Sequence, residues 1–421
     1  MKYSKMPTSL GAKRSPVHDW YSFVAGYSPE YIEYVVEEYS SRVGEAPRRI
    51  YDPFAGCATT NVTANSLGIA SLGVERNPIF YNIGKAKCDA SKIYVYFNEI
   101  IDRFSAIYSS GVFASIEECL SSDAEAFLSK LFNREDLEYL LALRREVNLY
   151  KNLKWEAGYL LLTRLLEYVT FAKTDGIYKA PGSKKHNLGV EEAIETLRLK
   201  MLGNVQLYSS FDCQAKYVFD SSITYQPEEG AFDLVVFSPP YLNNFDFAEM
   251  TRMQMYFWGE AGSWREISDR HRNLMLVNTT TALKNVRDDS IQMAMREGLP
   301  SSVQNDIDTI INKLNRLRFD RPRNKRYDFI IYPYLSQMQS VLEHCYSALS
   351  DSGEIRIVLS DAAFYGIHIE TEKYISQIME SIGFQAVDVS RMRNRGDRWV
   401  LKKRRQSDKQ LGEYEIKALR R

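Results

Sequence analysis

The chain has 421 residues, 54 basic and 54 acidic side chains, and a hydrophobic fraction of 45%. This length suits one large domain with insertions or two domains, and it excludes a small scaffold that depends on disulfides. Because the net charge is zero, any affinity for nucleic acid has to come from local basic patches. The five cysteines lack a CxxC spacing and the five histidines are isolated, so we predict no metal site. No apolar run approaches the roughly 20 residues that span a bilayer, so we expect a cytoplasmic protein.

Strand and helix signals alternate along the chain, which predicts a mainly parallel α/β sheet. Predicted strands lie at residues 48–56, 71–76, 216–220, 232–237 and 354–360, with a helix at 59–67. The segments 385–393 and 398–402 flank an Arg-Gly-Asp turn and predict an antiparallel hairpin at the edge of the sheet. The apolar spacing in residues 117–168 predicts a helical insertion, whereas the polar segment 264–326 carries no fold assignment.

The tetrapeptide Ser238-Pro239-Pro240-Tyr241 follows the predicted strand 232–237. Neither proline can donate to a ladder, so the strand ends here. The prolines also restrict the backbone, which makes the Ser238 side chain and the Pro239 carbonyl rigid acceptors beside the aromatic face of Tyr241. A flat base with an exocyclic amino group fits this set, although a simple strand-ending turn would read the same way.

A loop of small residues follows the first predicted strand at 52–60 and runs into a helix. Such a loop places backbone N–H groups at the carboxyl end of the sheet, where α/β proteins bind ligands, although a purely structural turn uses similar residues. Glu75 ends the second predicted strand, where a carboxylate can accept both hydroxyls of a ribose. Alternatively, Glu75 is a surface carboxylate beside Arg76. Asp220 ends the third predicted strand, level with Glu75 if the sheet is parallel.

The motifs DPFAG at 52–56, VER at 74–76, a strand ending in Asp220, and SPPY at 238–241 together resemble those of the amino-methylating DNA methyltransferases. These are the N4-cytosine and N6-adenine enzymes that use S-adenosylmethionine. The resemblance implies a Rossmann-like class I methyltransferase fold, with a mostly parallel seven-stranded sheet, a C-terminal antiparallel hairpin and helical insertions. It implies the following segments: the start of the catalytic domain with the cofactor loop at 1–86, a helical insertion and candidate target-recognition region at 87–205, the catalytic segment with SPPY at 206–260, a second insertion with a basic end at 261–326, and the rest of the catalytic domain at 327–421.

The resemblance also implies a site for S-adenosylmethionine. Glu75 would bind the ribose and Asp220 the adenine amino group, while the loop would surround the methionine end. The implied cofactor residues are Tyr27, Ser28, Pro29, Asp52, Phe54, Ala55, Gly56, Thr59, Thr60, Glu75, Arg76, Asp220 and Ser221. Ala58 stands where many members have glycine, and its methyl group could crowd the loop.

The implied reaction is direct methyl transfer to a base amino group, with Ser238, Pro239, Pro240 and Tyr241 as catalytic residues. A nucleophilic cysteine after proline, typical of C5-cytosine methylation, is absent from the sequence. Serine at the first position of the tetrapeptide is more typical of N4-cytosine enzymes, so we predict N4-cytosine methylation of DNA, with N6-adenine as the alternative. Two alternatives of another class stay open: an RNA base amino-methyltransferase, and an inactive nucleic-acid-binding module.

Two basic runs, 313–326 and 391–405, interleave Arg and Lys with aromatic residues, a pattern typical of phosphate contact and stacking. The candidate DNA contacts are Arg321, Arg323, Lys325, Arg391, Arg393, Arg395 and Arg398. The expected partners are double-stranded DNA and a cognate restriction endonuclease, with no membrane contact. We therefore expect a restriction-modification enzyme of the prokaryotic cytoplasm, active at the nucleoid.

Overall fold

The computed structural model describes residues 17–21, 23, 26–175, 178–202, 214–242, 245–279, 286, 288–320, 325–394 and 411–420. Its strands are β1 (Arg49–Asp52), β2 (Ala70–Glu75), β3 (Ala172–Asp175), β4 (Tyr178–Lys184), β5 (Ala215–Phe219), β6 (Phe232–Phe237), β7 (Leu349–Ser360), β8 (Ala362–Phe364), β9 (Ile367–Ile369), β10 (Gln385–Asn394) and β11 (Gly412–Leu419).

The α-helices of the described residues are α1 (Pro29–Val43), α2 (Thr59–Ser66), α3 (Pro78–Cys88), α4 (Ala90–Ile93), α5 (Phe97–Ser109), α6 (Ile116–Cys119), α7 (Ser122–Leu128), α8 (Arg134–Val147), α9 (Asn152–Val169), α10 (Val190–Leu202), α11 (Phe247–Met250), α12 (Arg252–Trp258), α13 (Trp264–Arg270), α14 (Asp289–Glu297), α15 (Ser301–Leu317), α16 (Ile331–Ala348) and α17 (Thr371–Ile382). None of these helices is long and apolar enough to cross a membrane.

One seven-stranded sheet has the order β5-β2-β1-β6-β7-β11-β10. The strands β5, β2, β1, β6 and β7 pair in parallel, and β11 pairs antiparallel with both β7 and β10. All six residues of β6 are buried, as expected for a central parallel strand covered on both faces. The predicted architecture, a mixed α/β fold with a largely parallel seven-stranded sheet and helical insertions, is therefore confirmed.

The predicted hairpin is correct in kind but wrong in position. Its first strand is β10, as expected, but the strand that pairs with it is β11, and the segment 398–402 lies outside the described residues. The hairpin does lie at the edge of the sheet, with β10 as the edge strand and β11 between β10 and β7. The physical reason for the different second strand is that β11 pairs with β7 from Glu413 to Leu419 and buries Ile416 and Ala418 in the core.

The sheet is covered by helices on both faces. Side chains of α1, among them Tyr31 and Val35, pack against Leu234 and Val236 of β6. The alternate residues of the same strand, Val235 and Phe237, belong to the core on the opposite face of the sheet, which includes α16 and α17. This alternation follows from the two-residue period of a strand.

The helices α5 to α10 form one hydrophobic core with α3 and with the N-terminal residues Trp20 and Tyr21. The predicted helical insertion is thus packed directly against the helix that follows β2. It also contains the small antiparallel pair β3 and β4. The segment without a fold assignment is largely helical in its described part, as α13, α14 and α15 show.

Candidate functional site

Four polar side chains lie together at the carboxyl ends of four adjacent parallel strands. Asp52 is the last residue of β1, Glu75 is the last of β2, Asp220 follows β5, and Ser238 follows β6. The strands β5, β2, β1 and β6 are adjacent in that order. The sheet therefore brings the residues of the predicted cofactor site and the predicted catalytic tetrapeptide to the same crevice.

Asp52 organises the loop after β1. Its carboxylate is 2% exposed and accepts hydrogen bonds from the Phe54 N–H at 2.9 Å, the Tyr27 hydroxyl at 2.9 Å and the Thr60 hydroxyl at 2.5 Å. Burial raises the pKa of Asp52 to about 6, against the opposing effect of these hydrogen bonds. The structure thus joins three predicted cofactor residues, from three segments, around one buried carboxylate.

The segment before α1 is held by the same contact. Tyr27 reaches Asp52, and the next two residues begin the helix: Ser28 is the buried N-cap residue and Pro29 is the first helical residue. Proline suits that position because its missing N–H is not needed there. The three predicted cofactor residues of this segment, Tyr27, Ser28 and Pro29, therefore lie beside the loop.

Glu75 links β2 to the same loop. One carboxylate oxygen accepts the Gly56 N–H at 2.9 Å, and the other accepts the Asn77 N–H at 2.6 Å. The side chain is half-buried, and burial raises the pKa of Glu75 to about 7. A carboxylate has about four lone-pair acceptor positions, and the backbone N–H groups of Gly56, Asn77 and Arg76 use three of them, so Glu75 can still accept from a ligand hydroxyl. Glu75 is thus a half-buried carboxylate bonded to backbone N–H groups, which differs from the alternative of a surface carboxylate beside Arg76.

The loop turns through two left-handed residues, Gly56 with φ 54° and Ala58 with φ 65°. A Cβ at Gly56 would lie 3.1 Å from the Phe23 ring, so glycine is needed there for conformation and for space. Ala58 is completely buried and is the N-cap residue of α2, where it supplies no side-chain oxygen to the first helical N–H groups. A residue with a Cβ therefore adopts the conformation that glycine favours.

Tyr217 of β5 supports the loop from below, a role that the sequence did not reveal. Its hydroxyl donates to the Gly56 carbonyl at 2.6 Å. Its ring lies so close to Gly73 and Gly84 that a Cβ at either position would come within 2.7 Å of it. These two glycines explain how an aromatic side chain fits between β2 and α3.

Asp220 and Ser221 lie at the open end of β5. Asp220 is exposed, and one of its carboxylate oxygens accepts the N–H of Ser221 at 2.7 Å. Ser221 is buried and donates its hydroxyl to the Leu274 carbonyl at 2.7 Å. The neighbouring Ser222 hydroxyl donates to the Pro53 carbonyl, which joins this end of β5 to the loop after β1.

The remaining predicted cofactor residues line the same edge. The Phe54 ring packs against Phe237, the last residue of β6, with centroids 5.6 Å apart. Ala55 is buried and Thr59 begins α2. Arg76 donates to the carbonyl of Arg270, in the second insertion, at 2.6 Å.

The tetrapeptide after β6 makes a contact that the sequence did not predict. Pro239 is buried, while Ser238, Pro240 and Tyr241 are half-buried. The Ser238 hydroxyl donates to the Tyr241 hydroxyl at 3.3 Å, and the latter donates to a carboxylate oxygen of Glu413 at 3.0 Å. The structure therefore adds Glu413, at the start of β11, to the residues around the tetrapeptide.

Two further contacts hold Glu413 and the start of β11 in place. Arg393 of β10 donates its Nε to the second Glu413 oxygen at 2.5 Å. Asp361, directly after β7, is 2% exposed and accepts the Gly412 N–H at 2.9 Å, which anchors the start of β11. The alternating residues 413–419 were the signal that could have revealed this strand.

Three of the seven predicted DNA contacts belong to the described residues. Lys325 and Arg391 are exposed, with their charged groups 6.0 Å from the Tyr327 ring and 5.8 Å from the Tyr414 ring, respectively. Arg393 is instead paired with Glu413. The other four, Arg321, Arg323, Arg395 and Arg398, lie outside the described residues. Within the described part of the chain, no cluster of three His, Cys, Asp or Glu side chains is arranged to hold a metal ion.

Comparison with known proteins gives relatives along most of the chain. The Type II methyltransferase M.BsoBI of Geobacillus stearothermophilus is 23% identical over 468 residues, which is 99% of this chain and 86% of that protein. The Type II methyltransferase M.AvaI of Nostoc sp. is 22% identical over 416 residues, covering 88% of this chain and 80% of the relative. The chain matches no protein-family model.

Among solved structures, an rRNA methyltransferase from Streptomyces viridochromogenes aligns with 9% identity and a TM-score of 0.30, covering 98% of this chain and 96% of that chain. A likeness this low carries no weight for either fold or substrate. The sequence relatives are more informative, because their similarity extends over 99% and 88% of this chain. Over most of its length, the chain is therefore similar to Type II methyltransferases.

Proposed function

We propose that the chain transfers a methyl group from S-adenosylmethionine to the N4 amino group of cytosine in DNA, as the modification enzyme of a restriction-modification system. The observation that carries the proposal is the position of Ser238 and the Pro239 carbonyl, which follow β6 directly beside the loop of β1. The relatives are named Type II methyltransferases, and this supports methylation as the activity.

The cofactor loop suits S-adenosylmethionine chemically. The cofactor carries a cationic sulfonium and an ammonium group, a carboxylate, a ribose and an adenine. Buried or half-buried carboxylates at Asp52 and Glu75 complement the cationic and hydroxyl groups, and the uncapped first turn of α2 suits a carboxylate. Asp220 has an exposed carboxylate for an adenine amino group. When bound, the cofactor supplies a methyl group on a positively charged sulfur.

The residues after β6 account for how an aromatic amino group becomes a nucleophile. Its lone pair is delocalised into the ring and becomes available only when its hydrogens are held out of plane. Ser238 Oγ and the Pro239 carbonyl would accept these two hydrogens and direct the lone pair toward the methyl group. This chemistry requires orientation and electrostatic complementarity, with no covalent intermediate on the protein.

The choice of cytosine rests on Ser238. A hydroxyl is short and uncharged, and serine at this position is typical of N4-cytosine enzymes in the family that the motifs resemble. A target base in duplex DNA would have to leave the stack to reach this edge of the sheet. Tyr241, half-buried beside Ser238, offers an aromatic ring to the extruded base.

Transfer of tritium from labelled S-adenosylmethionine tests the proposal. The protein is incubated in parallel with duplex DNA and with RNA, and the labelled nucleic acid is digested to nucleosides. We expect label in DNA, recovered as N4-methylcytosine, and a strongly reduced rate of labelling with Ser238→Ala. Recovery as N6-methyladenine would overturn the choice of base, label in RNA alone would overturn the substrate, and label in neither would overturn the enzymatic function.

The expected partners follow from the same proposal. A modification enzyme of this type would act on double-stranded DNA in the prokaryotic cytoplasm and would share its recognition sequence with a restriction endonuclease. Digestion of DNA methylated by the chain with a panel of endonucleases would identify that sequence. Protection against one endonuclease specificity is the expected result.

A further inference from the structure

Four side chains form a hydrogen-bonded chain that begins at the predicted catalytic serine. Ser238 Oγ lies 3.3 Å from the Tyr241 hydroxyl, which lies 3.0 Å from one oxygen of Glu413. The other oxygen of Glu413 lies 2.5 Å from Nε of Arg393. Glu413 is 4% exposed and is separated from Tyr241 by 172 residues of sequence. The antiparallel strand β11 thus brings a buried carboxylate to a tetrapeptide on a parallel strand.

The direction of each hydrogen bond in this series of four side chains follows from the donors that each group possesses. A guanidinium has only donors, and the Glu413 oxygens accept from Arg393 on one side and from Tyr241 on the other. The one hydrogen of the Tyr241 hydroxyl is therefore used toward Glu413. The hydrogen between Ser238 and Tyr241 must then belong to Ser238, and both lone pairs of Ser238 Oγ are left to accept.

We propose that Glu413 is a positioning residue for methyl transfer, acting through the Tyr241 hydroxyl to keep Ser238 Oγ an acceptor. The inference rests on the proposed function, in which Ser238 accepts a hydrogen of the base amino group. A serine hydroxyl without such a partner rotates about its Cβ–Oγ bond and can direct its own hydrogen at the amino nitrogen. That orientation would engage the lone pair that has to attack the methyl group.

The distances suit this role. The Tyr241 to Glu413 contact has an ordinary hydrogen-bond length, whereas the Ser238 to Tyr241 contact exceeds the usual O–H···O range of about 2.5–3.0 Å. Hydrogen bonds of an active site often tighten only in the complex with substrate. The buried carboxylate end is thus held in place while the serine end can still adjust to the base.

The inference also changes the role of Arg393, which the sequence placed among the DNA contacts. Arg393 is the cross-strand neighbour of Glu413, and their ion pair is largely buried on the Glu413 side. We therefore expect Arg393→Gln to lower kcat with little change in the salt dependence of DNA binding. Loss of a phosphate contact would instead reduce the slope of log Kd against log salt concentration by about 1.

Two substitutions test the direction of these hydrogen bonds. Tyr241→Phe retains the ring and removes the hydroxyl, so Ser238 loses its partner, and we expect kcat to fall about tenfold with unchanged cofactor affinity. In Glu413→Gln the amide oxygen faces Arg393 and the amide NH2 faces Tyr241. The Tyr241 hydrogen is then redirected toward Ser238 Oγ, so we expect a larger loss of kcat than in Tyr241→Phe. A merely structural role for Glu413 would not give this order.

Double variants decide whether the effects pass through Ser238. In the Ser238→Ala background, adding Tyr241→Phe should cause no further loss of residual kcat, and in the Tyr241→Phe background Glu413→Gln should have little effect. Multiplicative losses in either combination would overturn the inference. If the wild-type protein methylates DNA and Tyr241→Phe has the same kcat, the role of Glu413 is wrong while the proposed function stands. If the wild-type chain labels no nucleic acid, the proposed function fails.

The same strand provides a matched control. The Tyr31 hydroxyl donates to Glu415 at 2.6 Å, and Glu415 lies two residues after Glu413 on β11. Tyr31→Phe therefore removes a buried tyrosine to glutamate hydrogen bond of the same kind, away from Ser238. We expect it to lower the thermal midpoint at least as much as Tyr241→Phe does and to leave kcat unchanged. An equal loss of kcat in the control would mean that kcat reports the docking of β11 rather than the orientation of Ser238.

Discussion

The proposed cofactor half and the proposed base half of the site, called the cofactor half and the base half below, are built in different ways. In the cofactor half, Asp52 contacts Thr60 and Glu75 contacts Gly56, so contacts join residues that are 8 and 19 positions apart. In the base half, Tyr241 depends on Glu413 at a separation of 172 positions. The first half is organised largely by these local contacts, with Tyr217 and Ser222 reaching the same loop from 161 and 169 positions away. The second exists only when β11 is inserted correctly between β7 and β10.

This difference predicts that damage to β11 will affect the base half and spare the cofactor half. The buried side chain that docks β11 is Arg356 of β7, which donates to Glu354 at 2.5 Å and to Glu415 at 3.1 Å. It is 2% exposed and lies under α1, whose Tyr31 contacts the same Glu415. Four groups on three elements thus share one buried ionic network.

The largest expected effect comes from breaking this network with Arg356→Met. The substitution leaves Glu415 buried without its cationic partner, while Glu354 keeps Arg42 at 3.0 Å, so the free energy of unfolding should fall by about 3 kcal/mol, measured by urea denaturation. Lys417→Met is the matched control, because Lys417 lies 3.5 Å from the same Glu354 but is partly exposed. It should cost about 1 kcal/mol or less. Equal losses would show that the buried network does not stabilise β11.

The next effect separates the two halves directly. Ser238→Ala removes an acceptor for the base amino group and nothing from the cofactor loop, so kcat should fall by about 10²- to 10³-fold while the Kd for S-adenosylmethionine stays unchanged. Single-turnover labelling and equilibrium binding measure the two quantities. A parallel rise in Kd would mean that Ser238 belongs to the cofactor half and would remove the distinction between them.

The contacts of the cofactor half were easier to anticipate from the sequence than those of the base half, because more of them join residues close together in the chain. The strand ends at Asp52, Glu75 and Ser238 follow from local patterns of apolar runs, prolines and small residues, and the structure places them at one edge. The role of Glu413 was not predicted, because its contact with Tyr241 joins residues 172 positions apart and because the segment 398–402 competes for the same strand assignment. The contact of Tyr217 with Gly56 was missed because the strand pattern says nothing about what lies beneath a loop.

A smaller effect should appear in the pH dependence of cofactor binding. The pKa of Glu75 is raised to about 7 and that of Asp52 to about 6, so both carboxyls gain protons in the folded protein at a higher pH than in the unfolded chain. Folding is therefore favoured by these groups at low pH, and that contribution is lost as pH rises toward 7. A cationic ligand prefers the ionised forms, so its affinity should rise with pH in the same range.

We expect the Kd of S-adenosylmethionine to be about tenfold lower at pH 8 than at pH 6, with release of protons on binding, measured by calorimetry in two buffers. Glu75→Gln should weaken binding and flatten this dependence above pH 6. Glu372→Gln is the control, because burial also raises the pKa of Glu372 to about 7 but this residue lies on α17. A flattened profile in the control would place the pH dependence outside the cofactor half.

The smallest effect is expected at Ala58, where the left-handed backbone and the methyl group act in opposite directions. Glycine would relieve a conformational cost of about 1–2 kcal/mol, but it would lose a buried methyl group worth about 0.8 kcal/mol and would increase the entropy of the unfolded chain. Ala58→Gly should therefore change the free energy of unfolding by less than about 1 kcal/mol. Since Ala58 is already accommodated as the N-cap residue of α2, the Kd for S-adenosylmethionine should change less than about threefold. A tenfold gain in affinity would instead show that the Ala58 methyl group crowds the ligand, and the cofactor half would then be the less well adapted of the two.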